Sequence, residues 1–494
     1  MISTFLVSLS ACTMGASTSA VDSVSIADAD SEIKVFRQMQ AEYTRLMEKG
    51  LSDGELMKEL RESYRVILLR TDPLNQRQGH QPLEWKCPKV KYGRTGLDMP
   101  RVTCGGMRQQ LEWTQQSVTT RDDIPKACVD NFQAIVDRAL ELGVNHFETA
   151  KGYGTSEIQF GQALKKHNRS SFILQTKINP MEDARQFQQT LELSFQKLQV
   201  EYLDLFAFHG LNLPKHLEWI TRPGGCLEVI NKFRAAGKIR WIGFSTHGDA
   251  STIEKAIKTN LFDFVNLHYQ FVGSYHCSGT YAGEGGDHGN LANVRLAHSL
   301  NMGVFCISPN DKGGMLYKPT KVMADICKEM SNITPIEMNN LWLWSHNPMV
   351  HTLSVGAARP SDLDEAVSAA KMLDRAGELV PPVEKALRDL MVERLGKTWV
   401  ETWWKGLPGA YNPTGVFVAH IVWLWNLVKA WGMFSFARAR YATLEGNLRG
   451  RKPELSEEEN ILSFNSFVPG YPYRPEMAAQ IADCIPETCP NKAK

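Results

Sequence analysis

Four side chains in this sequence have the types and spacing to reduce a carbonyl group. The stretch FETAKGYG, residues 147–154, ends a hydrophobic run on the carboxylate of Glu148 and sets a tyrosine, Tyr153, five residues later. Lys177 closes the run FILQTK (172–177), and His209 closes LDLFAFH (203–209). Hydride addition to a carbonyl carbon needs a proton for the oxygen. A tyrosine phenol supplies it if its pKa is drawn down from the free value of ~10. A lysine cation beside the phenol favours phenolate, a carboxylate beyond the lysine fixes it, and a neutral imidazole orients the carbonyl oxygen. Tyr153, Lys177, Glu148 and His209 fit those roles. Each alone also has a plain structural explanation: a solvated strand-end lysine, a satisfied core histidine, a tyrosine packed on a turn glycine. Their joint placement points to chemistry.

The elements that must position them alternate regularly. Short β-rich runs occur at 101–106, 145–150, 172–177, 203–209, 239–245, 262–269, 304–309 and 350–356. Most are followed by helical periodicity, as in SEIQFGQALKKH (156–167), RQFQQTLELSFQKLQ (185–199) and LEVINKFRAAGK (227–238). The runs are nearly continuously apolar, which suits strands covered by helices on one face and by a packed interior on the other. Eight such units predict an α/β fold, a closed (β/α)₈ TIM barrel rather than a doubly wound open sheet, with functional groups just past the C-terminal strand ends. Glu148, Lys177, His209 and Ser245 end four successive runs, and Tyr153 follows the first of them.

Composition bounds the remaining classes. The 494 residues are divided into a possible targeting or irregular segment (1–25), a helical N-terminal extension (26–88), the barrel (89–378) and an all-helical C-terminal domain (379–494). With 55 basic and 54 acidic residues and no basic run, nucleic acid is not an expected partner. Ten scattered cysteines suit a reducing compartment, hence a cytoplasmic protein, or an organellar one if the uncharged first twenty residues are a targeting peptide. The longest apolar stretch, GVFVAHIVWLWNLV (415–428), is shorter than the ~20 residues a membrane span needs and predicts a buried helix.

With these residues in view, the chain resembles the aldo–keto reductases over roughly residues 90–375. The resemblance rests on KYGRTGLDMPRVTCGGM, GVNHFETAKGYGTSE, QTK, LDLFAFH, AAGKIRWIGFSTHG and GVFCISPNDKGGMLY. It implies a (β/α)₈ barrel with NADPH bound, reduction of an aldehyde or ketone, and the catalytic set Glu148, Tyr153, Lys177 and His209. The family has aspartate where Glu148 stands, so the carboxylate is displaced by one methylene. A ~1 Å misplacement of that kind can cost ~10²-fold in rate. The resemblance further implies that Ser245, Thr246 and Asn266 hold the nicotinamide carboxamide, where the family commonly has Ser, Asn and Gln. Ser308, Lys312, Gly313 and Gly314 would belong to a loop whose backbone embraces the pyrophosphate. Arg359, in GAARPSDLDEA (356–366), would contact a 2′-phosphate and favour NADPH over NADH, while the family's adenine-side Asn is Ala366 here.

The glycine-rich loop 270–290 is expected to overhang the barrel mouth and select substrates. Its His276, Cys277 and His288 fit no zinc spacing, so no metal site is expected. The C-terminal part, with six tryptophans between 399 and 431, loosely resembles the helical ferredoxin-like domain of one aldo–keto reductase branch. Only Cys484 and Cys489 remain in its closing segment, so no iron–sulfur cluster is expected, and a protein partner for this domain is conceivable. Two rival functions are weighed: an NADP(H)-binding sensor or scaffold with little turnover, and a barrel lyase or isomerase independent of nicotinamide. Keeping a proton donor, Tyr153, with Lys177 and His209 favours the reductase.

Overall fold

The computed structural model describes residues 85–107, 124–248, 250–272, 290–310, 320–345, 349–360, 362–403, 418–433 and 436–437, with scattered positions between 38 and 51. Lys312, Gly313, Gly314, most of the 270–290 loop and the terminal cysteines lie outside the described residues. Of the expected N-terminal extension, the described residues 38, 41–42 and 44–46 are helical, and Leu46 is buried.

An antiparallel hairpin, β1 (Lys89–Lys91) and β2 (Asp98–Pro100), precedes the barrel. The barrel strands are β3 (Val102–Gly105), β4 (His146–Glu148), β5 (Ile173–Ile178), β6 (Leu203–Phe208), β7 (Ile239–Ser245), β8 (Phe264–Leu267), β9 (Gly303–Cys306) and β10 (Thr352–Gly356). All pair in parallel, and β10 returns to β3 to close the ring. Each of the eight expected runs coincides with one strand, β5 and β9 each reaching one residue beyond theirs. The helices between them are α1 (Lys126–Glu141), α2 (Ser156–Leu164), α3 (Ala184–Leu198), α4 (Pro214–Thr221), α5 (Cys226–Ala235), α6 (Ala250–Lys258), α7 (Asn290–Ser299), α8 (Lys321–Ser331) and α9 (Pro335–Ser345). After β10 come α10 (Asp362–Lys371), α11 (Ala376–Leu395), α12 (Lys397–Thr402) and α13 (Val418–Trp431).

The chain explains these elements locally. In α3, Phe187, Leu191, Ser194 and Leu198 recur at helical spacing and form the buried face, with Phe187 packed on Phe206 and Phe208. Asp183 caps its start by accepting from the amides of Arg185 and Gln186, a contact worth ~1 kcal/mol. Gln199 ends it in the left-handed conformation. Every residue of β5 and β6 is buried, as continuous apolar runs require. At the barrel floor Tyr92 is fully buried against Phe264 and His351. Gly303 is needed there, because a β-carbon on it would lie 2.5 Å from the Tyr92 ring.

The C-terminal helices share the barrel's core. Trp423, Leu427 and Trp431 of α13 are buried in the same apolar cluster as Phe271 and Trp342. The apolar stretch expected to be a buried helix is one, and no helix among the described residues is long and apolar enough to cross a membrane.

Polar residues also lie inside the barrel. His146 Nδ1 and Thr103 Oγ1 are hydrogen-bonded at 2.7 Å, and Thr103 meets Thr352 at 2.8 Å. Burial, aided by the Lys177 charge, pushes the His146 pKa down to about 3. Burial likewise pulls His351 down to about 4, with Arg101 and His298 adding to the effect. These folded-state values lie below the unfolded value, so the stability they contribute is present above about 6.5 and is lost as the pH falls toward 4. Each histidine is expected to cost on the order of 2 kcal/mol at pH 5 relative to pH 7. Melting temperatures should therefore fall on acidification, and less steeply in His146→Gln; identical slopes would contradict the assignment.

Candidate active site

The barrel brings the four sequence candidates to one rim. Glu148 is the last residue of β4, Lys177 is next to last in β5, and His209 directly follows β6. Backbone hydrogen bonds stitch these ends together. Thr149 N donates to Gln175 O (2.8 Å), Lys151 N to Lys177 O (2.9 Å) and His209 N to Ile178 O (2.7 Å). The turn carrying Tyr153 is closed by Tyr153 N donating to Ala150 O (3.0 Å) and Ser156 N donating to Tyr153 O (2.9 Å). Strand ends and turn thus set the side-chain directions before any ligand arrives.

Lys177 and Glu148 are both buried and in direct contact, and Lys177 Nζ also donates to Thr149 O at 2.7 Å. The carboxylate expected to hold the lysine therefore reaches it despite its extra methylene. The same ammonium lies 4.6 Å from the centre of the Tyr153 ring. The His209 ring meets Tyr153 edge-on, with centroids 5.6 Å apart and planes at 89°. His209 Nδ1 is buried without a hydrogen-bond partner. An acid, an ammonium, a phenol and an imidazole are thereby gathered from four places in the sequence.

The electrostatics differ from the sequence expectation in one respect. Lys177 was expected to draw the Tyr153 pKa down, whereas burial pushes it up. The reason is solvation: charge on the phenolate is disfavoured where neighbouring side chains displace water. Burial also lowers the Lys177 pKa well below its ordinary value. His209 is held far below its usual range by burial, then by Lys177 and His247, which leaves the imidazole neutral. In this state Tyr153 is a protonated hydrogen-bond donor across the neutral range.

The candidate cofactor residues separate into groups. Ser245 and Asn266 are paired in register on β7 and β8, and both are buried. Ser245 Oγ accepts from Gly210 N at 3.2 Å. Both polar atoms of the Asn266 amide are buried with no partner, an arrangement that costs on the order of 1–3 kcal/mol unless something fills it. Thr246 is differently employed, because its hydroxyl donates to Leu211 O (2.8 Å) and accepts from Gly248 N (3.0 Å) within the strand-end turn. Ser308 follows β9 with φ at 52°, a left-handed backbone uncommon outside glycine. Arg359 Nε donates to Asp362 Oδ1 at 3.0 Å, and the other carboxylate oxygen of Asp362 accepts from the amides of Ala358 and Arg359. Ala366 is fully buried and packs in the core.

Three residues at this end were not singled out from the sequence. Gln175, two residues before Lys177, is buried on the inward face of β5, which period-two alternation could have revealed. His247 Nδ1 and His268 Nε2 lie 2.6 Å apart at the ends of β7 and β8, a pairing between distant segments that no local pattern announces. Among the described residues no group of three or more His, Cys, Asp or Glu could hold a metal ion.

Residues 105–375 match the aldo/keto reductase family, more than half of the 494 residues. The chain is 27% identical over 164 residues to the NADH-specific methylglyoxal reductase of Escherichia coli, covering 28% of this chain and 49% of that protein. It is 36% identical over 120 residues to the methylglyoxal reductase DkgA of Yersinia pestis, covering 24% of this chain and 41% of that one. The chain thus spans about half the length, or less, of these curated relatives. An aldo-keto reductase from Bacillus halodurans, solved in its holo form, is similar with a TM-score of 0.45 and 18% identity, covering 60% of this chain and 97% of that one.

Proposed function

Since the chain belongs to the aldo/keto reductase family, which it matches over residues 105–375, we propose that it reduces an aldehyde or ketone to an alcohol, using a nicotinamide dinucleotide and taking the proton from Tyr153. The observation that carries this reading is the Lys177 ammonium 4.6 Å from the Tyr153 ring centre, with His209 edge-on to the same ring.

The residues at the rim fit such a cofactor. Asn266, with a buried amide lacking partners, and Ser245 beside it offer the donor and acceptor set that a carboxamide needs. Ser308 and Arg359 stand further along the rim, and the terminal guanidinium nitrogens of Arg359 suit a phosphate, which favours NADPH. When bound, the reduced nicotinamide supplies the hydride. Tyr153, kept protonated by burial, gives its hydroxyl proton to the carbonyl oxygen as the carbon accepts hydride, leaving phenolate on the enzyme and alcohol as product. Lys177 stabilises that phenolate by its charge, and Glu148 holds Lys177 in place. Neutral His209 directs its ring at the carbonyl oxygen without placing a second cation beside Lys177.

Fluorescence titration with NADPH and NADH tests the cofactor half of the reading. Saturable binding is expected, tighter for NADPH by about tenfold, equal to ~1.4 kcal/mol. Arg359→Ala should remove most of that preference, and Asn266→Ala should weaken both cofactors. An absence of binding to either would defeat the proposal.

A further inference from the structure

The two connections that leave β8 and β9 at the barrel mouth are tied to each other by one side chain on the outer helix layer. Asn339 lies within α9 and is buried. Its Oδ1 accepts from Phe271 N at 3.0 Å, four residues beyond the end of β8. Its Nδ2 donates to Pro309 O at 2.8 Å and to Asn310 Oδ1 at 3.2 Å, just beyond the end of β9. The acceptor end of one amide thus grips one connection while the donor end grips the other. Asn266, within β8, lies five residues before the Phe271 grip, and Ser308 immediately precedes the Pro309 grip. Ser308 has φ at 52°, a conformation that persists for a non-glycine residue only where its surroundings enforce it.

The C-terminal helices hold the start of the β8 connection, Phe271 and Val272, from outside. The Phe271 ring stacks on Trp431 of α13 (5.6 Å, 21°) and has the Arg388 guanidinium of α11 at 5.4 Å. Trp423 Nε1 of α13 donates to Val272 O at 2.5 Å. Trp342, on the same helix as Asn339, meets Phe271 edge-on at 5.6 Å. A segment needed only to cover the barrel exterior could bury its tryptophans anywhere on the helix layer. These contacts instead converge on Phe271 and Val272 at the mouth.

We propose that Asn339 is a positioning residue that locks the β8 and β9 connections at a fixed spacing, and that α11 and α13 clamp the β8 side of that lock. This rests on the reductase reading for its consequence: with the lock in place, Asn266 and the Ser308 turn are preorganised for the cofactor, and the ordering cost at binding is removed in advance. The transition-state groups Tyr153, Lys177 and His209 lie on or just after β4, β5 and β6, away from the β8 and β9 connections, so loss of the lock separates affinity from turnover.

Two variants dissect it. Asn339→Asp keeps the acceptor for Phe271 N but replaces the donor to Pro309 and Asn310 with a carboxylate oxygen, while Asn339→Ala removes both grips. In the full chain, Kd for NADPH is expected to rise about tenfold in Asn339→Ala, consistent with the loss of one or two hydrogen bonds of ~1 kcal/mol, with kcat for 4-nitrobenzaldehyde within about twofold of wild type. Asn339→Asp, nearly isosteric, keeps the proposal testable if the alanine variant does not fold. Unchanged Kd accompanied only by a lower melting temperature would overturn it. Amide hydrogen exchange without any nicotinamide gives a second, independent readout. Exchange within 303–310 should quicken in Asn339→Asp while the Phe271 amide stays protected, and wild-type exchange in both variants would overturn the lock. Faster exchange in a protein that binds no nicotinamide would uphold the lock and defeat the reductase reading alone.

Discussion

Tyr153→Phe is expected to lower kcat for aldehyde reduction by about 10²–10⁴-fold, the range for loss of a positioned general acid, while leaving NADPH affinity within about twofold. The phenol is the only hydroxyl among the four rim candidates, and its ring lies against both Lys177 and His209. Removing one oxygen preserves the ring and its packing, so the fold should persist and the loss should fall on the chemical step. A companion result concerns pH. Burial raises the Tyr153 pKa, so the proton is present throughout the neutral range, and the reduction rate should stay level to beyond the ~10 of a free tyrosine. Equal, non-zero turnover by wild type and Tyr153→Phe would remove Tyr153 from the mechanism, and a rate that already falls as the pH rises to 8 would contradict the raised pKa.

The second large effect is on stability as well as activity. Lys177→Met leaves the Glu148 carboxylate buried without its cation, which is expected to cost about 3–5 kcal/mol and to abolish most turnover. An isolated buried carboxylate relieves itself by taking up a proton, so the destabilisation should shrink at acid pH. The double variant Lys177→Met with Glu148→Gln separates the two roles: stability should largely return because no buried charge is left, while activity should not. If the single variant melts like wild type, the ion pair is not the buried unit described here. Glu148→Asp is expected to be at least as active as wild type, since the shorter acid is the family's own residue; a large loss would mean that the site is adapted to glutamate.

Much of this was legible in the sequence because the barrel converts local pattern into place. Eight apolar runs separated by helical periodicity leave little choice of fold, and a residue at the C-terminal end of a parallel strand reaches the same rim whatever its position in the chain. Glu148, Lys177, His209 and Ser245 are therefore found together although they are far apart in sequence. What could not be read depends on the three-dimensional surroundings. The direction of the Tyr153 shift is set by its burial, which no spacing encodes. The Thr246 hydroxyl is bound into a turn whose partners, Leu211 and Gly248, have no motif. Asn339 stands beside a second asparagine in a largely apolar helix, so its link between two rim connections appears only when α9 is packed on the barrel. The tryptophan-rich C-terminal part reads as a helical appendage, yet Trp423 and Trp431 reach the barrel mouth.

The most direct test of the site as a working reductase is consumption of NADPH and NADH by the full chain across a panel of aldehydes and ketones, with the alcohol product quantified. At least one carbonyl compound should be reduced with one nicotinamide oxidised per alcohol formed, and the rate should depend on Tyr153. Firm nicotinamide binding with no oxidation across the whole panel would contradict catalysis and leave a barrel that senses the cofactor without using it.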